Sequence, residues 1–483
     1  MPEVKDIKKG MPFIHSLSML KKFSLPLSGI IAIVFGTTVA QAQVLTLKEA
    51  VQTGLQNYNA IKAKASYVSA SKASVKQSVK EYYPDLSVSF QHDYGTVNGQ
   101  TGPLYGFRGL GTASSGQPLA DQNWNAAFGA LYLTNINWDF YSFGRAREKI
   151  KTAQAVVARD ESDLVQEQFQ HEVRVAAAYL NLLAAQRLTQ SWQNNLDRAV
   201  ALQGIVTTRV KNGLNAGVDS SLANAEVSNA RIVLTRARDY EQEQANQLAI
   251  LMGVQHQVFT LDSVFVARIP TALYDSGSSK QVHPLLAFYQ RRIDLSNEQA
   301  KYFKTLSYPT FTLFGVFQGR GSGFDPEYGI NDLNKFSRSY LKGIDPVRAN
   351  YLFGVGMIWN LTTPLRVQQQ VTSQKFISQA LKEEYELTDQ RLKAQLALSD
   401  NKIKNALDNY REVPVQVKAA SDAFLQKSVL YKNGLTNMVD VTQALYALNR
   451  AETDRAITYN NVWQALLLKA AASGDFALFI NEF

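Results

Sequence analysis

Ile136-Asn137-Trp138-Asp139-Phe140-Tyr141-Ser142-Phe143-Gly144-Arg145 changes its periodicity part-way along. Before it, apolar and polar residues alternate, the signature of a strand with two different faces. After it comes a long run rich in Ala, Gln and charge that reads as one continuous helix. A second switch of this kind occurs at Met357-Ile358-Trp359-Asn360-Leu361-Thr362-Thr363-Pro364-Leu365-Arg366. Trp138 and Arg145 map onto Trp359 and Arg366 at one offset of 221 residues. Lys211-Asn212-Gly213-Leu214 maps onto Lys432-Asn433-Gly434-Leu435 at that same offset, and Val218-Asp219 onto Val439-Asp440. The chain therefore reads as two copies of one unit.

Working outward, the strand ahead of the first switch (124–140) places Trp124, Ala126, Phe128, Ala130, Tyr132, Ile136, Trp138 and Phe140 on one face, with Thr134 the polar exception. Behind the switch, Arg145 to Asn212 contains no proline and one glycine, Gly204. Such a helix would be roughly 100 Å long, far beyond a globular one. Asn212-Gly213 breaks it, and a second helix is expected over 219–252. Upstream, a helical pattern runs from Val44 to Tyr83, where Pro84 stops it. A strand (86–96) and a polar loop follow. The second copy repeats the order: helix 283–307 ended at Tyr308-Pro309, strand 310–319, a loop to about residue 348, strand 349–361, long helix 365–432 and helix 440–472. Pro414 predicts a local kink in that long helix. The expected division is thus a leader (1–42), a first repeat (43–279) closed by an irregular linker from Gly253, and a second repeat (280–483).

Lys21-Lys22, the apolar run Leu25 to Val39 and the small-residue site Ala40-Gln41-Ala42 read as a secretory signal cleaved after Ala42, with Met11 and Met19 as alternative starts. The apolar run is shorter than the roughly 18 to 20 residues that span a bilayer. The 483 residues carry a formal charge of +9, of which the leader contributes +3. The remainder, spread over a long chain, is weak ground for a nucleic-acid partner. The absence of cysteine excludes disulfides, thiolate metal sites and a cysteine nucleophile. His15, His92, His171, His256 and His283 have no ligand spacing, so neither metal nor cofactor is expected. Gly319-Arg320-Gly321-Ser322-Gly323 lacks the Lys-Ser/Thr pair of a phosphate loop and reads as surface loop. Neither Gly-x-Ser-x-Gly nor His-Glu-x-x-His occurs, and no enzyme is expected.

An exported chain with no later apolar helix can enter a membrane only as strands, and strands cross lipid only in a closed barrel. Closure takes about eight strands or more, whereas this chain supplies four. It must pool strands with further copies of itself. Trp124, Tyr132, Trp138, Tyr351, Phe353 and Trp359 suit the aromatic girdles of such a barrel. Helices of this length, packed beside their copies, would form a tube continuous with the pore.

The signal, the twofold repeat, Asn137-Trp138-Asp139-Phe140 leading into Gly144-Arg145, and the two Asn-Gly-Leu breaks together resemble the TolC-type outer-membrane efflux proteins over roughly residues 45–472. The resemblance implies a mixed α and β membrane protein: a homotrimer giving a 12-stranded barrel continuous with a long periplasmic α-helical barrel, in the outer membrane of a Gram-negative bacterium. It implies a periplasmic adaptor protein and an inner-membrane transporter of resistance-nodulation (RND) or ABC type as partners. It places adaptor docking on Lys211, Asn212, Gly213, Leu214, Lys432, Asn433, Gly434 and Leu435, which are equally the residues of an ordinary capped turn. Asp440 matches an entrance aspartate of the family that forms a ring of like charge, while the second acidic position is Gln443. Asp219 and Asp440 also have a plain reading as helix N-caps. Trp138, Gly144, Arg145, Trp359, Pro364 and Arg366 mark the barrel-to-tunnel joints, and Thr363-Pro364-Leu365 departs from the first copy. Two other functions remain open at this point: the outer-membrane component of protein or peptide secretion, and an exported coiled-coil scaffold or adhesin without a pore.

Overall fold

The computed structural model describes residues 44–99, 116–262, 268–270, 282–330 and 332–482. The leader expected over 1–42, much of the loop after the first strand, and parts of the 253–279 linker lie outside the described residues.

The helical stretch from 44 to 83 is two helices and not one. α1 (Leu47–Asn57) starts on a reciprocal cap: the Thr46 hydroxyl accepts from the Glu49 N–H, and the Glu49 carboxylate accepts from the Thr46 N–H. Tyr58 then takes extended angles and α2 (Asn59–Lys80) begins. The Tyr58 ring stacks on His171 with centroids 4.0 Å apart. A one-residue break barely shifts the helical phase, so periodicity does not show it.

β1 (Asp85–Thr96), β2 (Ala126–Tyr141), α3 (Arg145–Lys211) and α4 (Gly217–Met252) complete the first repeat. The second comprises α5 (Pro284–Thr305), β3 (Thr310–Ser322), a short α6 (Tyr340–Ile344), β4 (Arg348–Ile358), α7 (Thr363–Lys432), α8 (Met438–Ser473) and α9 (Ala477–Ile480). Three strand ends differ from expectation. Trp124 precedes β2, and Trp359 and Leu361 follow β4. β3 continues to Ser322, so the Gly319–Gly323 run belongs mostly to the sheet. A Cβ on Gly321 would lie 2.7 Å from the Gly343 and Asp345 carbonyls, so glycine there lets the α6 segment lie directly against the strand. α7 stays helical through Pro414.

The four strands form one antiparallel sheet in the order β1-β2-β3-β4. Val88 pairs with Thr134, Thr134 with Phe317, and Phe317 with Tyr351. Leu86, Ile136, Gly315 and Phe353 form a second such row, so one face is predominantly apolar. The other face carries Ser89, Leu133, Gln318 and Asn350 in one row and Gln91, Leu131, Arg320 and Arg348 in another. The two hairpins share their register. Trp138 lies 221 residues before Trp359, and Tyr83 lies 225 before Tyr308. Moving Asp85↔Asn137 by those two offsets gives Thr310↔Ile358, the observed pair.

The main core lies around the middle of α3, where Val175, Tyr179 and Leu183 meet Leu248 of α4, Trp463 of α8 and Phe479 of α9. The fully buried Tyr179 hydroxyl donates to the Leu45 carbonyl (2.8 Å) and accepts from the Asp262 N–H (3.1 Å), tying both ends of the first repeat to α3. Among the described residues, no helix is long and apolar enough to cross a membrane. Tyr179→Phe should strand those two backbone groups at a cost of about 1–3 kcal/mol. The check is urea unfolding followed by helical circular dichroism, and an unchanged midpoint would show that this tie is not stabilising.

Candidate functional site

The two joints between strand and long helix share one contact. The Trp138 indole N–H donates to the Tyr82 carbonyl (2.9 Å), and the Trp359 indole N–H donates to the Ser307 carbonyl (3.1 Å). In each case the acceptor lies two residues before the proline that opens the preceding strand. One indole therefore fastens the chain leaving the sheet to the chain entering it.

Beyond that the joints diverge. At the first, Phe143 and Gly144 take left-handed angles, with φ of 49° and 83°. That conformation is costly for a phenylalanine. Its ring packs within 5.5 Å of both Tyr141 and Tyr308. Arg145 donates to the Tyr308 carbonyl of the second repeat (3.1 Å). At the second joint, Pro364 sits in the first turn of α7, where its missing N–H costs nothing. The Asn360 side chain accepts from the Thr362 N–H (3.1 Å), and Arg366 donates to the Thr363 hydroxyl (3.4 Å).

At the far ends of the long helices the two breaks are alike. Gly213 and Gly434 have φ of 74° and 76°. The Gly213 N–H bonds the Val210 carbonyl and the Leu214 N–H bonds the Arg209 carbonyl; Gly434 and Leu435 repeat this on Tyr431 and Leu430. Both are Schellman turns, which satisfy helix-end carbonyls through a left-handed glycine. The apolar residue after the glycine usually folds back on the helix, yet Leu214 and Leu435 are 65% and 73% exposed. Lys211, Asn212, Lys432 and Asn433 are also exposed.

Neither aspartate is an N-cap. α4 begins at Gly217 behind Ala216, and α8 begins at Met438 behind Asn437, whose side chain accepts from the Asp440 N–H. Both aspartates sit in a first turn, where the helix dipole favours negative charge. They have different partners. Asp219 accepts from Asn215 (2.7 Å) and from the Tyr431 hydroxyl (3.3 Å), which belongs to the other hairpin. Asp440 accepts from Thr436 (2.7 Å) and pairs with Lys427 (2.9 Å) inside its own hairpin. The Lys427 ammonium, followed by the Thr436 hydroxyl, holds the Asp440 carboxyl below the usual carboxylate range. Burial, with Asp219 second, raises the Tyr431 hydroxyl above its ordinary value. Gln443, three residues beyond Asp440 on the same side of α8, is exposed.

Sequence reading missed Arg209. Its guanidinium donates to Asn215 (2.7 Å) and to the Lys432 carbonyl at the end of α7 (2.6 Å), and it lies over the Tyr431 ring. It joins the two tips, and its acceptor in the other hairpin is 223 residues away along the chain. The one local signal was a basic residue in a last turn. Among the described residues no cluster of metal-ligating groups occurs.

A lowered carboxyl pKa stabilises the folded tip above the unfolded value, and that stability is lost as pH falls through the folded one. Hydrogen-exchange protection at 435–440, relative to the intrinsic rate, should therefore weaken only below about pH 4. Asp440→Asn should abolish that pH dependence, and its persistence in the variant would acquit Asp440.

The sequence pattern of the family described as outer membrane efflux protein matches residues 50–254. No curated protein sequence matches this chain. Among solved structures, the outer membrane protein VceC from Vibrio cholerae is similar with a TM-score of 0.67 at 17% identity, over 89% of this chain and 96% of that one. The CmeC outer membrane channel of Campylobacter jejuni gives 0.68 at 14%, over 89% and 85%. The open state of the MtrE outer membrane channel of Neisseria gonorrhoeae gives 0.65 at 14%, over 89% of each chain. A mostly helical chain with one four-stranded sheet thus shares its fold with those channels over 89% of its length, and its residues 50–254 carry the sequence pattern of the outer membrane efflux proteins.

Proposed function

We propose that this chain is the exit duct of a tripartite export system: a homotrimer in the outer membrane of a Gram-negative bacterium, built on a 12-stranded barrel and a periplasmic helical tube. The observation that carries the reading is one sheet of four long antiparallel strands, apolar on one face, with open edges at β1 and β4 and helices of 67 and 70 residues leading away from it. Strand edges have no water to bond within a bilayer, so such a sheet is usable there only when copies close it. The apolar face then meets lipid, and the face bearing Gln91, Gln318 and Asn350 lines the pore.

The duct is passive; the transporter in the inner membrane supplies energy and selects cargo. The exposed Leu214 and Leu435 at the tips, flanked by Lys211 and Lys432, suit docking of a periplasmic adaptor. The Asp219–Tyr431–Arg209 group holds the two tips of one chain together, and Asp440 would repeat around the threefold axis as a ring of acid at the entrance. The coiled-coil scaffold has no use for a sheet whose two faces differ in this way.

Purified protein in planar bilayers should give discrete conductance steps. Their absence, even after Arg209→Ala and Tyr431→Phe have released the tips, would leave the duct reading without support. Gly434→Trp forces a side chain into a left-handed position beside Arg209, whose Nη2 lies 3.4 Å from where the first carbon would sit. It should abolish export in cells while bilayer conductance persists; normal export would remove the second turn from the docking surface.

A further inference from the structure

The two repeats make different numbers of contacts, and the shortfall defines an interface. β2 pairs with β3, and Arg145 after β2 bonds the carbonyl of Tyr308 before β3. The repeat-mates of these parts are β4, Arg366, Tyr83 and β1. Among the described residues none of them meets its counterpart inside the chain: β4 and β1 are the two outer strands, and Arg366 bonds Thr363 of its own turn. Tyr83 is 64% exposed, whereas the Tyr308 ring packs on Phe143. The same holds for the helices. α3 leans on α5, with the Thr152 hydroxyl donating to the Glu298 carbonyl (3.3 Å). Its mate α7 instead exposes Leu365, Phe376, Leu387 and Leu398, spaced every eleven residues. That spacing keeps them in nearly one line along a straight helix.

We propose that a neighbouring copy of this chain supplies the missing half at a stated register: β4 pairs antiparallel with β1 of the next copy so that Met357 faces Phe90 and Phe353 faces Tyr94, and Arg366 donates to the Tyr83 carbonyl of that copy. The inference rests on the trimeric reading above and fixes which residues meet. The register follows from the observed pair Asn137↔Phe314. Moving Asn137 forward by the offset of the tryptophans gives Ile358, and moving Phe314 back by the offset of the Tyr-Pro pairs gives Ser89. The same two offsets already relate the two hairpins within the chain. In this register, apolar-face Met357 and Phe353 meet apolar-face Phe90 and Tyr94. A slip of one residue would instead set the apolar face of one strand against the polar face of the other. Pro364, the mate of Phe143, comes to lie against the exposed Tyr83 ring.

The chain has no cysteine, so introduced pairs can be read without background. Within one copy, Phe90 shares a row with Ala349 on the far outer strand, so Met357 lies three strands across and eight residues along, roughly 30 Å away, too far for a disulfide. Phe90→Cys/Met357→Cys, oxidised in purified full-length protein, should therefore give covalent trimers on denaturing gels, and Phe90→Cys/Val355→Cys should not. Arg366→Ala should lower the temperature at which trimers dissociate in detergent by roughly 2 °C, whereas Thr363→Ala, which removes the in-chain acceptor, should leave it unchanged. Cross-linking through Val355 in place of Met357 overturns the register. A trimer that still conducts but cross-links through neither pair overturns the seam and leaves the duct reading intact. Protein that is monomeric at all concentrations and forms no channel removes both. Equal effects of the Arg366 and Thr363 changes would confine Arg366 to its local turn.

Discussion

A strand with an unbonded edge is tolerable in water and expensive in lipid, where each unpaired backbone group costs several kcal/mol. The sheet of this protein has two such edges, β1 and β4, each more than ten residues long. Much of the rest of the chain can be understood from that constraint. The faces of the sheet are sorted into apolar and polar rows. The long helices leave from β2, whose end carries Trp138, and from β4, which Trp359 follows. If copies close the edges, those helices are arranged into a ring without further instruction.

The joints show how one repeated sequence element meets two surroundings. Both use an indole N–H to fasten the exit from the sheet to its entrance, because a backbone carbonyl stands at the same place in each copy. The first joint adjoins β3 of its own chain. There it supports a left-handed Phe143, an aromatic cluster and a bond from Arg145 across the repeats. Among the described residues the second joint has no side-chain bond from the first repeat and uses local means: a proline in the first turn, an Asn360 turn and an arginine directed at Thr363. The tips divide in the same way. Asp219 is bound from the other hairpin through Tyr431, while its mate Asp440 is bound within its own by Lys427. At these joints and tips, Arg145 and Asp219 of the first copy bond across the repeats, and their mates Arg366 and Asp440 are satisfied locally.

The repeat, the strand-to-helix switches, the length of the helices and the two glycine turns are all legible in residue order. Those features are local: period two against period 3.6, proline before a strand, and glycine where φ must be positive. Trp138, Trp359, Gly213 and Gly434 stand out in the sequence because each pair recurs at one offset. The break at Tyr58, the extension of β3 through Gly321, the positions of Asp219 and Asp440 inside their helices, and the contacts of Arg209 emerge once the chain is folded. Each of these depends on a partner remote in the chain: His171 for Tyr58, the Gly343 and Asp345 carbonyls for Gly321, Tyr431 for Asp219, the Lys432 carbonyl for Arg209. Periodicity reports which face of an element is buried, and it is silent on what that face meets once the chain has returned from two hundred residues away.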